Sequence, residues 1–476
     1  MTFESLQLPE PATGSSAPYS IAQGLPYEYP LPEGVVGSAL HLSDKTPKLF
    51  QPLRIGNMVI PNRVGVSPMC QYTADKNEVT DYHKIHYGGL STRGPGVVTC
   101  EVMAVAPNSG TSMVDLGIWN DTQAYKLKDI VNYAHANTSK IGLQIGHAGR
   151  KAMTSALFDF LENWDPRAIE KDLVGPSAVA YRPNGRVPTP RALTVDEIHT
   201  IIKQFGAAAK RSVEISGFDF VEIHAAHGYL INEFMSAHSN KRTDQYGGSF
   251  ENRIRLLLEI IDEVRANVPK GYPVFLRFSA SEIHDSNPDA WNIADSVKLA
   301  PIVAERGIDL IDVSAGGNDS NADRPKKGFG MFLEYATAIK KAVGDKALVS
   351  CVGSMHDAKG VNELLEEGLI DFAFVGSPFL KNPGLVFDWA KELDTEIHHI
   401  ASHWPFKPKY AEMIEYIKST LKVLEKASKH QISIITYSPL RRGMVTVDKN
   451  VSSAVLLPGE DIEARNKLLK EHTIAW

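Results

Sequence analysis

Three cysteines, at 70, 100 and 351, are all that 476 residues offer, and no two of them form a CxxC pair. That scarcity leaves no disulfide framework, thiolate zinc site or iron–sulfur cluster, and it fits a reducing compartment, so a cytoplasmic location is expected. No apolar run is long enough to cross a bilayer, and membrane association is not expected. The opening residues carry Glu4, Glu10 and several prolines where a secretory signal would have a basic start and an apolar segment. Like charges do not cluster either. The 50 basic and 56 acidic residues give a net charge of -6 without a basic stripe, which argues against nucleic acid as a partner. No Gly-x-Gly-x-x-Gly follows the first strand-like segment, against a dinucleotide-binding open sheet, and no His-Glu-x-x-His helix points to a zinc hydrolase.

What is present is an ordinary apolar fraction of 43% with 22% charged residues, enough for one large domain with extensions. Residues 1–45 are rich in Pro, Gly, Ser and Tyr and read as an arm. From Leu49 onward short apolar segments alternate with amphipathic stretches, the mark of βα units. Eight strands are expected, near 63–67, 96–100, 141–145, 218–223, 273–278, 310–313, 347–351 and 371–375, with helices such as Val195 to Ser216 and Ser249 to Val268 between them. Eight units in this length predict an α/β fold, a (β/α)8 TIM barrel over 46–400, with an atypical C-terminal extension at 401–476. In that extension Tyr410 to Lys429 reads as a charged helix. Ile432 to Gly443 resembles a strand and loop of aldo-keto reductases and is assigned packing rather than activity.

The densest chemistry is His224-Ala-Ala-His227-Gly-Tyr229, directly after the apolar run from Phe218 to Ile223. A strand covered on both faces would deliver two imidazoles and a phenol at its carboxyl end, where βα loops converge on one crevice. Other strands add to the same end: Ser67 to Tyr72, Gln144 with His147 and Arg150, and Arg277. The last two strands end in Gly353-Ser354 and Gly376-Ser377, with helix starts at Asp357 or Asn382, a phosphate-binding pattern. Taken singly these residues have plainer readings. A His pair three apart is more often structural or metal-ligating, Arg277 suits an interior ion pair and Gln144 a core amide. A zinc site would need a third ligand, and Glu222 is expected on the opposite face of its strand from the histidines. Cys100 and Cys351 read as core filler, Gly247-Gly248 as a turn, and His83 and His86 as residues of a helix with no assigned role. Read together, a phosphate end, a central arginine and glutamine, and a lining of Cys70, Tyr72, His224, His227 and Tyr229 describe a flavin mononucleotide pocket.

In order along the chain, Leu49-Phe-x-Pro-Leu53, Asn62-Arg63, Ser67-Pro-Met-Cys70-x-Tyr72, Gln144-x-x-His-Ala-Gly-Arg-Lys151, His224-Ala-Ala-His-Gly-Tyr-Leu230 and Ser239-Asn-x-Arg-Thr-Asp-x-Tyr-Gly-Gly-Ser249 resemble the old yellow enzyme family over about residues 47 to 395. Cys70 marks the thermophilic-like ene-reductase branch. The resemblance implies non-covalent FMN, NADPH or NADH as co-substrate, and reduction of an activated C=C bond. It also implies roles. His224 and His227 would grip a carbonyl or nitro oxygen, Tyr229 would protonate the α-carbon, and Tyr72 would add a hydrogen bond. Cys70 would sit near flavin N5, Arg277 at the N1/O2 edge, and Gln144 at the pyrimidine edge. Val102 would line the ring, with Ser67, Pro68 and Met69 beside it and Gly353, Gly376 and Ser377 at the phosphate.

The chain departs from the family at two places. Ser377 stands where an arginine usually meets the phosphate, so FMN is expected to bind more weakly unless Lys381 or another cation reaches in. Ala401 to Phe406 leads into the extension where relatives often end with an arginine that enters a neighbouring subunit. A homodimer or higher homo-oligomer is the expected state, with a small-molecule substrate. The rival functions are a redox-neutral isomerase on the same flavin scaffold, a barrel that binds flavin weakly and serves as a binding protein, and a zinc-dependent barrel hydrolase.

Overall fold

Side-chain alternation along eight short strands decides the architecture. The computed structural model describes residues 34–152, 173–182, 188–325 and 327–400, together with the backbone of 434–438 and 443–447. The eight strands are β1 (Val64–Val66), β2 (Val97–Ala104), β3 (Ile141–Gly146), β4 (Phe220–Ala225), β5 (Val274–Ser279), β6 (Leu310–Ser314), β7 (Leu348–Cys351) and β8 (Phe372–Val375). All pair in parallel, each with the next in sequence, and β8 closes on β1 through Val375 opposite Val66, so the barrel has no free edge. Every predicted strand is present, with ends that coincide or shift by up to four residues.

Outward-facing residues, among them Leu143, Val221, Ile223, Leu276, Ile311, Val349 and both Cys100 and Cys351, form the main core under the helices. The helix predicted from Val195 runs over Val195–Arg211 and continues as a single wider turn, Ser212–Ser216. It buries Ile198, Ile201, Ile202 and Phe205, one stripe at helical spacing, and Thr194 and Glu197 cap its first turn reciprocally. The stretch predicted as one helix from Ser249 splits at Ile254 into Phe250–Arg253 and Arg255–Ala266.

Inward-facing residues form a gradient. At the amino-terminal end Phe220, Phe275, Leu310 and Phe372 meet an antiparallel hairpin, Leu53–Ile55 with Met58–Ile60, in a separate apolar cluster. Gly65 and Gly142 make room for this floor: a Cβ on either would lie 2.5–2.6 Å from a Phe372 or Phe220 ring carbon. One step up, Gln144, Glu222, Arg277, Asp312 and Ser350 replace the apolar side chains, and above them come His224, Ser279 and Ser314, so polarity rises toward the carboxyl ends of the strands.

Strand β2 carries an irregularity. The register against β3 slips between Cys100 and Val102, leaving Glu101 unpaired. One extra residue reverses the side-chain parity. Cys100 thus faces the helices while Val102, two positions on, lies opposite Gln144 and faces the pocket. Part of the amino-terminal arm is described: Ala39 bridges Ile397, and Val36 N–H donates to Thr138 Oγ1. Residues 1–33 lie outside the described residues. The chain divides into two units, Met1–Ser402 and His403–Trp476. In the second, strand Ile434–Ser438 pairs antiparallel with Gly443–Val447. The helix expected from Tyr410 to Lys429, the stretch Ala401 to Phe406 and residues 153–172 and 183–187 fall outside the described residues. No described helix is long and apolar enough to cross a membrane.

Candidate functional site

The rim imidazoles are placed by β4 and the turn that follows it. His224 is the penultimate residue of the strand and is buried; its Nδ1 accepts the backbone N–H of Ala226 at 3.2 Å, which leaves Nε2 as the donor. His227 stands in the left-handed region at φ 60°. Three contacts hold this unfavourable conformation: its N–H donates to Ser279 Oγ at 2.9 Å, its Nε2 meets Ser314 Oγ at 2.7 Å, and its carbonyl accepts from Lys151 Nζ at 2.7 Å. The two imidazoles lie 5.1 Å apart edge to face, and the Tyr229 ring is 5.0 Å from His224 in the same manner. Burial, reinforced by His227, Arg277 and Lys151, holds the His224 ring well below its usual range; burial with Arg277 and Lys151 takes His227 down to about 3. Both are neutral at physiological pH.

Below them a buried charged layer crosses the barrel. Arg277 donates through Nε to Asp312 at 2.5 Å and through Nη2 to Ser67 Oγ at 2.9 Å, and its Nη2 also pairs with Asp312. Gln144 Nε2 donates to Glu222 Oε1 at 2.7 Å, while Glu222 Oε2 is buried without a partner. Glu222 therefore does not sit on the opposite face from the histidines: residues two apart on a strand share a face, and 222 and 224 both point inward. Burial alone would lower the Arg277 guanidinium, but Asp312 and Glu222 outweigh it and hold it charged. Burial raises Glu222, with Arg277 opposing and Asp312 adding to the shift.

The segment after β1 supplies Pro68, Met69, Cys70 and Tyr72, all half-buried. Its course is fixed by Glu101, the residue that the β2 irregularity frees. Glu101 Oε2 accepts the N–H of Gln71 at 3.0 Å, and Oε1 is gripped by the Tyr87 hydroxyl at 3.0 Å and His83 Nε2 at 3.3 Å. His83, to which sequence reading gave no role, thus braces the Cys70–Tyr72 loop. Burial, then Asp115 and Glu101, push the Cys70 thiol up; burial, then Cys70, does the same to Tyr72. Tyr229 is raised by burial, with Cys70 and Tyr72 as the next causes, which places the three groups in one electrostatic neighbourhood. Val102, Gly146, His147, Thr111, Asp115, His224 and Tyr229 line a common cavity.

The remaining expected residues are arranged less tightly. Gly376 faces Met69 and Ser67, with a hypothetical Cβ 3.4 Å from Met69 Sδ. Gly353, at φ 104°, abuts Met331 and Phe332. Ser377 is exposed at the start of a short helix, Ser377–Lys381. Of the two expected helix starts, Asp357 caps Ala358–Glu366 by accepting from Gly360 N–H at 2.6 Å, and Asn382 Oδ1 accepts from Gly384 N–H ahead of Leu385–Glu392. The sequence did not point to Ser279, Ser314, Tyr181 or Glu101, and it gave Lys151 a place in a motif but no role. The first two end β5 and β6, so applying the strand-end rule to every strand would have found them.

The residue set fits a flavin. An amide, a guanidinium and a hydroxyl gather in one layer, and an unpartnered carboxylate oxygen lies among them. Comparison with known proteins agrees. Residues 48–396 match the NADH:flavin oxidoreductase / NADH oxidase family. The chain is 40% identical over 400 residues to NADH:flavin oxidoreductase FG08077 of Gibberella zeae, covering 81% of this chain and 95% of that protein. It is 37% identical over 354 residues to the NADPH dehydrogenase of Bacillus subtilis, covering 74% and 96%. Among solved structures, morphinone reductase matches with a TM-score of 0.60 at 26% identity over 75% of this chain and 92% of that one. A 2-naphthoyl-CoA reductase complex matches with 0.65 at 26% identity over 72% of this chain but only 52% of that longer one. With a closed barrel, a polar rim and a family match over most of its length, the chain belongs to the NADH:flavin oxidoreductase family as an FMN- and NAD(P)H-dependent oxidoreductase of the old yellow enzyme type.

Proposed function

We propose that the chain is an ene-reductase of the thermophilic-like branch, reducing the activated C=C bond of α,β-unsaturated carbonyl or nitro compounds. The observation that carries this reading is the grouping of two neutral imidazoles and a protonated phenol, rings 5.0–5.1 Å apart, directly above the Gln144–Glu222–Arg277 layer. Bound flavin, recharged by NAD(P)H, supplies the reducing equivalents.

The protein's own groups do the rest. His224 offers Nε2–H to the activating oxygen, and a neutral donor polarises that oxygen without leaving an unpaired charge in a buried site. His227 adds a second contact, its ring already oriented by Ser314. Together they draw electron density from the β-carbon. Tyr229, kept protonated by burial, gives its proton to the α-carbon. Tyr72 adds a hydroxyl, and Cys70, kept as a thiol, presents a soft, uncharged sulfur. Gln144, Arg277 and Ser67 would hold the pyrimidine edge, and Val102, Pro68 and Met69 the ring. Gly353, Gly376 and Ser377 would meet the phosphate, where Ser377 brings a hydroxyl but no charge.

The test is anaerobic mixing of the FMN-loaded protein with NADPH and 2-cyclohexen-1-one. Enone-dependent NADPH oxidation with cyclohexanone as product is expected. A protein that takes up FMN and is reduced by NADPH, yet returns the enone unchanged or merely isomerised, would refute the reading.

A further inference from the structure

Lys151 lies in a short turn, Gly149–Lys151, after β3, and its side chain crosses to two other strand-end loops. Its Nζ donates to the carbonyl of His227 at 2.7 Å and to that of Gly317 at 3.0 Å. The two loops meet backbone to backbone there: a Cβ on Gly317 would lie 2.6 Å from the His227 main chain, and one on Gly228 would lie 2.2 Å from the Gly317 carbonyl. Gly228 and Gly317 both take positive φ, at 71° and 96°. No side chain fits in that seam, so the ammonium that binds both carbonyls is the polar group closing it. The same nitrogen stands 4.9 Å from the centre of the Tyr229 ring and 4.6 Å from that of Tyr181. It covers one ring face of each, a favourable place for a cation.

We propose that Lys151 is a positioning residue for proton delivery: its ammonium fixes the His227–Gly228–Tyr229 turn and holds the Tyr229 ring for transfer of the hydroxyl proton to the substrate carbon. The inference rests on the role proposed for Tyr229. Charge-assisted bonds to two carbonyls are stronger than neutral ones, and the site would lose them along with the cation over the ring.

The groups facing the ammonium are Glu233 from the helix Leu230–Met235, Arg150 from its own turn, Arg182 from the segment beyond Tyr181, the imidazoles of His224 and His227, and the rings of Tyr181 and Tyr229. Burial lowers the Lys151 amine to about 8, with Glu233 resisting and Arg150 and Arg182 adding to the fall. As pH rises through about 8 the cation is lost, so proton delivery should decline over that range.

The experiment separates the two half-reactions by stopped flow: reduction of bound flavin by NADPH, then anaerobic reoxidation by 2-cyclohexen-1-one. Lys151→Met is expected to slow reoxidation at pH 7 about tenfold or more, since small misplacement of a reacting group is costly. Flavin content and the rate of reduction by NADPH should not change. Lys151→Arg should restore most of the rate and move the alkaline decline to higher pH. In a Tyr229→Phe background Lys151→Met should slow reoxidation much less than in the wild type, because the part of its effect that runs through Tyr229 is already lost.

Equal reoxidation rates in wild type and Lys151→Met overturn the proposal, as does slowing that multiplies with Tyr229→Phe. Should Lys151→Met fail to fold, Lys151→Arg decides alone: an alkaline decline left in place overturns it. A wild-type protein whose reduced flavin is not reoxidised by the enone refutes the ene-reductase reading instead, and this inference falls with it.

Discussion

The two ends of one barrel are built from the same strands and solve opposite problems. At the floor, Phe220, Phe275, Leu310 and Phe372 pack on the Leu53–Ile60 hairpin, with Phe220 and Phe275 stacked at 4.4 Å. Four residues higher on β4 and two higher on β5, the inward positions are His224 and Arg277. Among the described residues, the carboxylate oxygens buried without a partner lie on the rim side: Glu222 Oε2 inside β4, and Glu233 Oε2 and Glu282 Oε2 in the segments that follow β4 and β5. A floor whose groups are satisfied by packing contributes stability. A rim that leaves buried polar atoms unsatisfied forgoes stability, and such groups collect where a ligand completes the set.

Substitutions at the two ends should therefore affect different measurements. Tyr229→Phe is expected to slow reoxidation of reduced flavin by an enone about 10²–10⁴-fold, the usual worth of a positioned general acid. Its melting temperature should stay near the wild-type value, and a large drop would make Tyr229 a packing residue. Phe275→Ala, at the floor, should cost about 3–5 kcal/mol in denaturant unfolding. The folded fraction should keep its turnover, and lost turnover at full folding would erase the division between the ends.

A smaller effect is expected at the support of His227. Ser314→Ala removes one hydrogen bond worth about 1 kcal/mol, and should raise the half-saturating enone concentration about fivefold with flavin reduction unaffected. No change would mean that Ser279 and Lys151 orient the imidazole unaided.

The smallest is a pH effect on stability. Burial raises Glu233 to about 8, against Arg150 and Lys151. The folded protein keeps a proton that the unfolded chain releases near its ordinary value. That stabilising contribution is present below the unfolded value and is lost as pH rises toward and through about 8. Glu233→Gln should flatten this decline, so that the melting temperatures of variant and wild type differ more at pH 8.5 than at pH 5. An equal difference at both pH values would show that the carboxyl is already ionised when folded.

Much of the architecture was legible in local patterning. Runs such as Ile141 to Ile145 and Phe218 to Ile223 are apolar because their outward side chains lie under helices, and eight of them signal a closed sheet. The strand-end rule then collected Ser67, Gln144, His224, His227, Tyr229 and Arg277 from four separate segments. It failed where parity was misjudged, at Glu222, whose side chain joins Gln144 and Arg277 inside the barrel. It could not reach Glu101, because a one-residue irregularity between Cys100 and Val102 has no turn residue to announce it, yet that shift frees the carboxylate that anchors Gln71. Lys151 was visible as part of a motif, but its two carbonyl partners lie 76 and 166 residues away.

By itself the amino-acid order determined the number of strands, their burial and the chemical types at their carboxyl ends, because alternation and helical spacing are properties of neighbours in the chain. The tertiary structure alone decided which of those groups touch: Ser314 on the His227 ring, Asp312 and Ser67 on Arg277, Lys151 across two loops. Those contacts depend on strand register and barrel closure, which are set by the packing of segments hundreds of residues apart and leave no periodic trace in the sequence.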